Sequence, residues 1–343
     1  MSTASAVFSL ASLVIGSLIT MMSNSMAAAW LGLEVNTLAI IPLMIKPRHP
    51  RAVEATTKYF VVQAMASIIM LSATISSNYI TGNWFTLWPS PDIVVPFTIA
   101  LAIKLGMAPF HFWLPDVLQG LPMLTGLMLS TWQKLPPLTL FTQLSYSLDP
   151  RYLLVVGLAS TIVGGLGGIN QSQVRKILAY SSIANLGWVA AIVSLCPQLA
   201  LFNFFIYMVL TSALFIMFFT LKALDMPKLM MSWANSPAIV TSAVLTFLSL
   251  AGLPPLTGFM PKLLITQEMA DQNLVVIAMI MLMTTLLSLF FYLRMAYIMA
   301  LTLSPTASYT TATWYEAPKS YSPILLVLSI SLIVLLPLFP TLT

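Results

Sequence analysis

Long apolar runs separated by short polar loops dominate this chain. The runs are about twenty residues long, which is what an α-helix needs to cross a hydrocarbon core roughly 30 Å thick. Eleven spans are predicted, at 3–22, 25–45, 57–80, 92–119, 122–145, 151–169, 174–196, 199–223, 236–267, 273–302 and 322–341. The fourth and ninth are too long for straight helices, and both contain glycine and proline. The longer connections are "KPRHPRAVE" (46–54), 224–235 and 303–321. The predicted fold is therefore all-α, a polytopic membrane protein of about 11 transmembrane helices.

The two long spans resemble each other. A shift of 146 residues lays "LGMAPFHFWLPDVL" (105–118) on "AGLPPLTGFMPKLL" (251–264). Gly106 then meets Gly252, Pro109 meets Pro255, Pro115 meets Pro261, and Trp113 meets Phe259. The copies lie five spans apart, an odd offset, so the two helices are expected to cross in opposite directions. Two inverted five-helix repeats with broken helices four and nine are a transporter pattern. The expected division is 1–146 for the first repeat, 147–303 for the second, and 304–343 for a loop and a C-terminal transmembrane helix. Two unrelated proline kinks are the plainer alternative. Each proline lacks an N–H and clashes with the preceding turn, so the helix opens. Its freed carbonyls and N–H groups must be buried in protein or hydrated. The broken helices should thus line a polar interior.

Composition agrees and narrows the class. Hydrophobic residues make up 59% and charged residues 7%, against about 25% charged in soluble domains. The lone cysteine, Cys196, excludes an internal disulfide and a cysteine-based metal site. Of the two histidines, His49 lies in a charged loop, so a bis-histidine haem within the bilayer is not available. The first basic residue is Lys46, so the N-terminus reads as a mature span rather than a signal or transit peptide. Lys46, Arg48, Arg51, Lys58, Arg175, Lys176, Lys222, Lys228 and Lys319 fall on the side of the N-terminus, opposite Arg151, Asp92, Asp149, Glu268 and Asp271. The positive-inside rule then places the N-terminus in the cytoplasm or matrix and the C-terminus on the opposite face.

Four charged residues stand away from span ends: Glu34, Lys104, Lys134 and Lys262. A lysine at mid-membrane costs about 2.5–3.5 kcal/mol on insertion scales, so such residues face a cavity, pair, or carry protons. Glu34, in "WLGLEVN", is expected to partner Lys104; a neutral carboxylic acid bonded across helices is the alternative. Lys104 occupies the last turn before the first break, where the half-helix dipole favours a cation. Lys134, in "STWQKLPPL", has Pro136 and Pro137 beside it, which are expected to free the carbonyls of Trp132 and Gln133. Simple solvation by that kink would also explain it. Lys262 follows the second break and has a snorkelling alternative. His111, inside the first break, is either a proton relay or a partner for orphan backbone groups. Arg294 reads as a snorkelling anchor, and "GGLGG" (164–168) as close helix packing. Burial makes an ammonium give up its proton more readily, and a nearby carboxylate makes it hold on. A row of lysines can therefore pass protons stepwise. One buried carboxylate is too few for a sodium site.

The motifs "WLGLEVN", "LAIKLGMAPFHFWLPDVLQG", "STWQKLPPL" and "LAGLPPLTGFMPK" together resemble the antiporter-like membrane subunits of respiratory complex I over essentially the whole chain. The resemblance implies proton translocation across the mitochondrial inner membrane, driven by distant quinone reduction. It implies that Glu34, Lys104, Lys134 and Lys262 are the central proton-path residues, with His111 as a further candidate. It also implies a short form lacking three N-terminal helices, partner membrane subunits and lipid around the bundle, and synthesis inside the organelle. NADH, flavin and iron–sulfur groups would then belong to other subunits, with no cofactor or metal in this chain and no substrate beyond protons and water. Two rivals stand beside this reading: a stand-alone cation/proton antiporter, and a membrane scaffold without a proton path.

Overall fold

The computed structural model describes residues 3–46, 49–82, 93–235, 237–254 and 256–300. The eleventh span and Arg48, Asp92, Pro255 and Lys319 lie outside them. The regular secondary structure of the described residues is helical, apart from one isolated bridge between Gln173 and Asp225. The chain forms two compact units, Met1–Ser160 with Ala190–Ala200, and Thr161–Val189 with Leu201–Thr343.

The first unit opens with α1 (Thr3–Met21), α2 (Met26–Ile45) and α3 (Pro50–Thr81). Ser25 caps α2 by accepting from Ala28 N–H, and His49 caps α3 by accepting from Arg51 N–H. The histidine of the charged loop therefore serves the backbone. α1 and α2 approach closely, because a Cβ on Gly32 would lie 2.6 Å from Thr20 Cγ2. The predicted fourth span is two helices, α4 (Val94–Leu105) and α5 (Trp113–Gly120). The fifth is also interrupted: α6 (Met123–Ser130) gives way to a 3-10 turn at Trp132–Lys134 before α7 (Leu135–Gln143). The expected opening at Pro136 and Pro137 is milder than supposed, since Leu135 N–H donates to the Trp132 carbonyl. The prolines instead begin α7, where the missing N–H groups are no loss.

α8 (Pro150–Ile169), α9 (Val174–Val193) and α10 (Pro197–Leu221) follow as unbroken spans. In the second unit the "GGLGG" run does what its composition suggested. A Cβ on Gly164 would lie 2.6 Å from Ala184 N, and one on Gly165 2.9 Å from Leu287 Cβ. α8 is thus pressed on one side against α9 and on another against α14 (Val275–Ala300). The loop at 224–235 holds an unexpected helix, α11 (Met226–Asn235). It is too short to span, and its buried residues Met226, Leu229 and Ser232 recur every third position along one side.

The predicted ninth span divides into α12 (Pro237–Ala251) and α13 (Phe259–Asp271). The interruption at 252–258 and that at 106–112 have the same length and correspond residue for residue under the shift of 146. Gly106 and Gly252 are both left-handed, at φ 76° and 85°, the conformation that ends a helix and favours glycine. At the other edge, Gly258 packs so tightly that a Cβ would stand 1.8 Å from the Ser249 carbonyl oxygen. That obstacle is backbone and cannot rotate away. Gly258→Ala is expected to destabilise the protein by about 3 kcal/mol through overpacking. Gly82→Ala, at a left-handed helix end with open space around it, should cost only about 1 kcal/mol. Melting of the two variants in mild detergent checks the ranking.

Candidate functional site

Both breaks are closed in the same way. A side chain from the second half-helix reaches back to carbonyls in the last turn of the first. At the first break Trp113 Nε1–H donates to the Ile103 carbonyl at 3.2 Å. Gly106 makes this possible, since a Cβ there would meet the indole at 3.3 Å. At the second break the donor is Lys262, whose Nζ lies 3.1 Å from the carbonyls of Leu250 and of Ala251. Gly252 again makes room, its absent Cβ falling 3.1 Å from the lysine Nζ. Ser249 Oγ accepts from Gly258 N–H at 3.2 Å and lies 3.1 Å from Thr257 Oγ1, which ties the two halves together. Lys262 therefore sits within the break and does not snorkel. Hydrogen bonds from a charged donor are worth about 1.5–3 kcal/mol.

Because the indole closes the first break, Lys104 is free of that duty. It is 5% exposed, and its Nζ has no hydrogen-bond partner among the described residues. Lys134 is 2% exposed in the 3-10 turn. Lys104 and Lys134 line one cavity, together with Thr37 of α2, Tyr59 and Gln63 of α3, and Gln133. The space open to the centre of a water-sized sphere is about 10 Å³, close to the roughly 10–15 Å³ that one water requires. Gln133 Nε2 also donates to the Asn36 carbonyl at 3.1 Å, fixing the Lys134 turn against α2.

Glu34 occupies a half-buried position on α2. It lies within Coulombic reach of Lys104 and of Tyr59. The partnership expected with Lys104, directly or through one water, is not a direct ion pair, since the salt bridges among the described residues are those of Lys58 with Glu54 and Asp116. The α2 wall of the lysine cavity comes from Leu33, Asn36 and Thr37, leaving Glu34 outside it. His111 is 6% exposed and its ring lies 4.1 Å from that of Phe112. It belongs to the first break but does not line the cavity. Lys262 lies in the other unit.

A family model described as NADH:quinone oxidoreductase/Mrp antiporter, TM, matches residues 23–288, and one described as NADH dehydrogenase subunit 2 C-terminus matches 289–343. The chain is 51% identical to NADH-ubiquinone oxidoreductase chain 2 of Latimeria chalumnae, over 97% of its own length and 96% of the relative's. It belongs to the NADH-ubiquinone oxidoreductase chain 2 family. The chain 2 of Anas capensis is 50% identical, with 96% of this chain and 95% of that one covered. That of Aquarana catesbeiana is 49% identical, with coverage of 97% and 96%. Among solved structures, a chain of Thermus thermophilus respiratory complex I superposes with a TM-score of 0.82 at 24% identity, over 94% of this chain and 75% of that one. A chain of an archaeal membrane-bound sulfane sulfur reductase gives 0.83 at 18% identity, with coverage of 96% and 72%. These structures share the fold with the chain 2 family.

The motifs picked out the charged residues of the site but not its neutral walls. Tyr59 and Gln63 stand in an apolar span whose only signal is their four-residue spacing. Trp113 reads as an apolar match to Phe259 until its indole N–H is placed. Arg294, expected as a snorkelling anchor, instead turns inward. Its guanidinium donates to the Ile169 carbonyl, to the Gln171 carbonyl at 2.9 Å, and to Met226 Sδ at 3.0 Å. It thereby closes the C-terminal end of α8 and pins α11, a use for which the planar five-donor fork is suited. Arg294→Met should destabilise by about 3 kcal/mol, because it strips charged donors from two carbonyls. Arg294→Lys should recover less than half of that loss. Thermal unfolding of the variants in detergent measures both.

Proposed function

We propose that this chain is the proton-translocating chain 2 subunit of respiratory complex I in the mitochondrial inner membrane. It works beside other membrane subunits and moves protons while NADH:ubiquinone electron transfer proceeds elsewhere in the assembly. The observation that carries this is the pair Lys104 and Lys134, both nearly fully buried and facing one water-sized cavity beside a broken helix. A membrane scaffold has no use for two ammonium-bearing side chains around one void, since each charge at such depth is costly.

In this reading a proton passes along Glu34, Lys104, Lys134 and Lys262. Glu34 acts on Lys104 through its field rather than by contact. Lys262, bonded to two carbonyls, is the member whose charge is bound to the backbone. His111 would serve protons approaching through the first break. Redox cofactors belong to other subunits, and protons and water are the only species this chain handles besides the surrounding lipid. The basic loops support an N-terminus in the matrix and a C-terminus in the intermembrane space. The five-helix division at 1–146 and 147–303 makes the two breaks equivalent elements of inverted repeats.

Lys104→Ala is the direct test. The assembled complex, reconstituted in vesicles, should keep part of its electron transfer and lose most of its proton movement per electron. The measurement is acidification of the vesicle lumen per NADH oxidised. An unchanged proton-to-electron ratio would refute the role of Lys104.

A further inference from the structure

α3 carries no charge beyond its first turns, yet it presents a polar residue to the lysine cavity. Gln63 is 4% exposed and Tyr59 is 2% exposed. Spaced four residues apart, they lie one above the other on the buried side of α3, and both line the cavity shared by Lys104 and Lys134. Ser77 and Asn78, at the far end of α3, hold polar atoms without a hydrogen-bond partner among the described residues, but three other buried polar side chains bond locally. Thr56 donates to the Ala52 carbonyl, Ser67 to that of Ala64, and Thr74 to that of Leu71. Gln63 has no such bond among the described residues. Its amide offers two donors and an acceptor, and a buried amide without a partner is unfavourable. A water in the cavity removes that penalty, and the cavity holds about one.

We propose that Gln63 is the positioning residue for the Lys104–Lys134 proton step, its amide holding a single water between the two nitrogens. The inference rests on the proton-path reading above. In the step an N–H bond of the Lys104 ammonium breaks as an O–H bond forms on the water. A second O–H bond of that water breaks as an N–H bond forms on the Lys134 amine. The water is regenerated, one proton has moved, and no electron is exchanged. Gln63 neither gains nor loses a proton, which lets it hold the water through both halves of the transfer. Tyr59, one turn away, lines the same space.

Gln63→Met keeps the volume and removes the polar atoms. A packing role alone would be served as well by methionine, because volume-conserving core changes cost little. The positioning role predicts assembly and melting like those of the unsubstituted complex, with proton yield per NADH several-fold lower. A yield equal to that of the unsubstituted complex overturns the proposal. Lys104→Ala, measured in parallel, separates the two ideas. If it loses yield while Gln63→Met keeps it, the assignment of Gln63 falls and the proton path stands. If Lys104→Ala itself keeps full yield, the proton path falls. Should Gln63→Met fail to assemble, a density map of the unsubstituted complex that resolves waters decides the matter. A water bonded to the Gln63 amide and to either lysine nitrogen supports the proposal, and a dry cavity overturns it.

Discussion

A peptide carbonyl left without a donor inside hydrocarbon is the constraint from which this structure follows. Helices satisfy it everywhere except where the chain opens them, and each opening must then be closed by something else. Trp113, Lys262 and Arg294 are those closures, each supplying N–H groups to carbonyls at a helix end. The glycines at 106 and 252 exist to let the first two reach their acceptors. Remove the need to satisfy those oxygens and little in the 106–112 or 252–258 segments makes physical sense.

The charges obey a second economy. Ion pairing among the described residues is confined to Lys58 with Glu54 and Asp116, where the side chains are about half exposed and the stabilisation is small. The buried lysines are instead distributed among a cavity, a 3-10 turn and a helix end. Direct pairing would have fixed each proton in place. Dispersing the carboxylate and the ammonium groups leaves each cation responsive to its hydration and backbone contacts.

The sequence disclosed a good deal of this. Apolar run length placed ten described spans to within a few residues, apart from the longer start of α3, and the repeated glycine–proline frame located both breaks. What it concealed has a common cause. Leu135 N–H meets the Trp132 carbonyl expected to be free, Arg294 turns inward, and Glu34 makes no direct ion pair with Lys104. Each depends on which side of a helix meets which neighbour, and hydropathy is nearly blind to that in a chain apolar on all sides. Gln63 and Trp113 were hidden for the complementary reason: one is neutral and the other counts as hydrophobic, so neither stands out by charge. α11 was missed because a short helix with one buried side resembles a loop in composition.

The two breaks share backbone but not chemistry. Under the shift of 146 residues, Lys104 corresponds to Leu250 and Lys262 to Asp116. The Lys262 ammonium rests on the Leu250 carbonyl, whereas the Lys104 side chain faces a cavity. Two helix ends of like backbone therefore hold their lysines by different means. One cation is anchored to oxygens that cannot leave, and the other answers to whatever fills the void beside it.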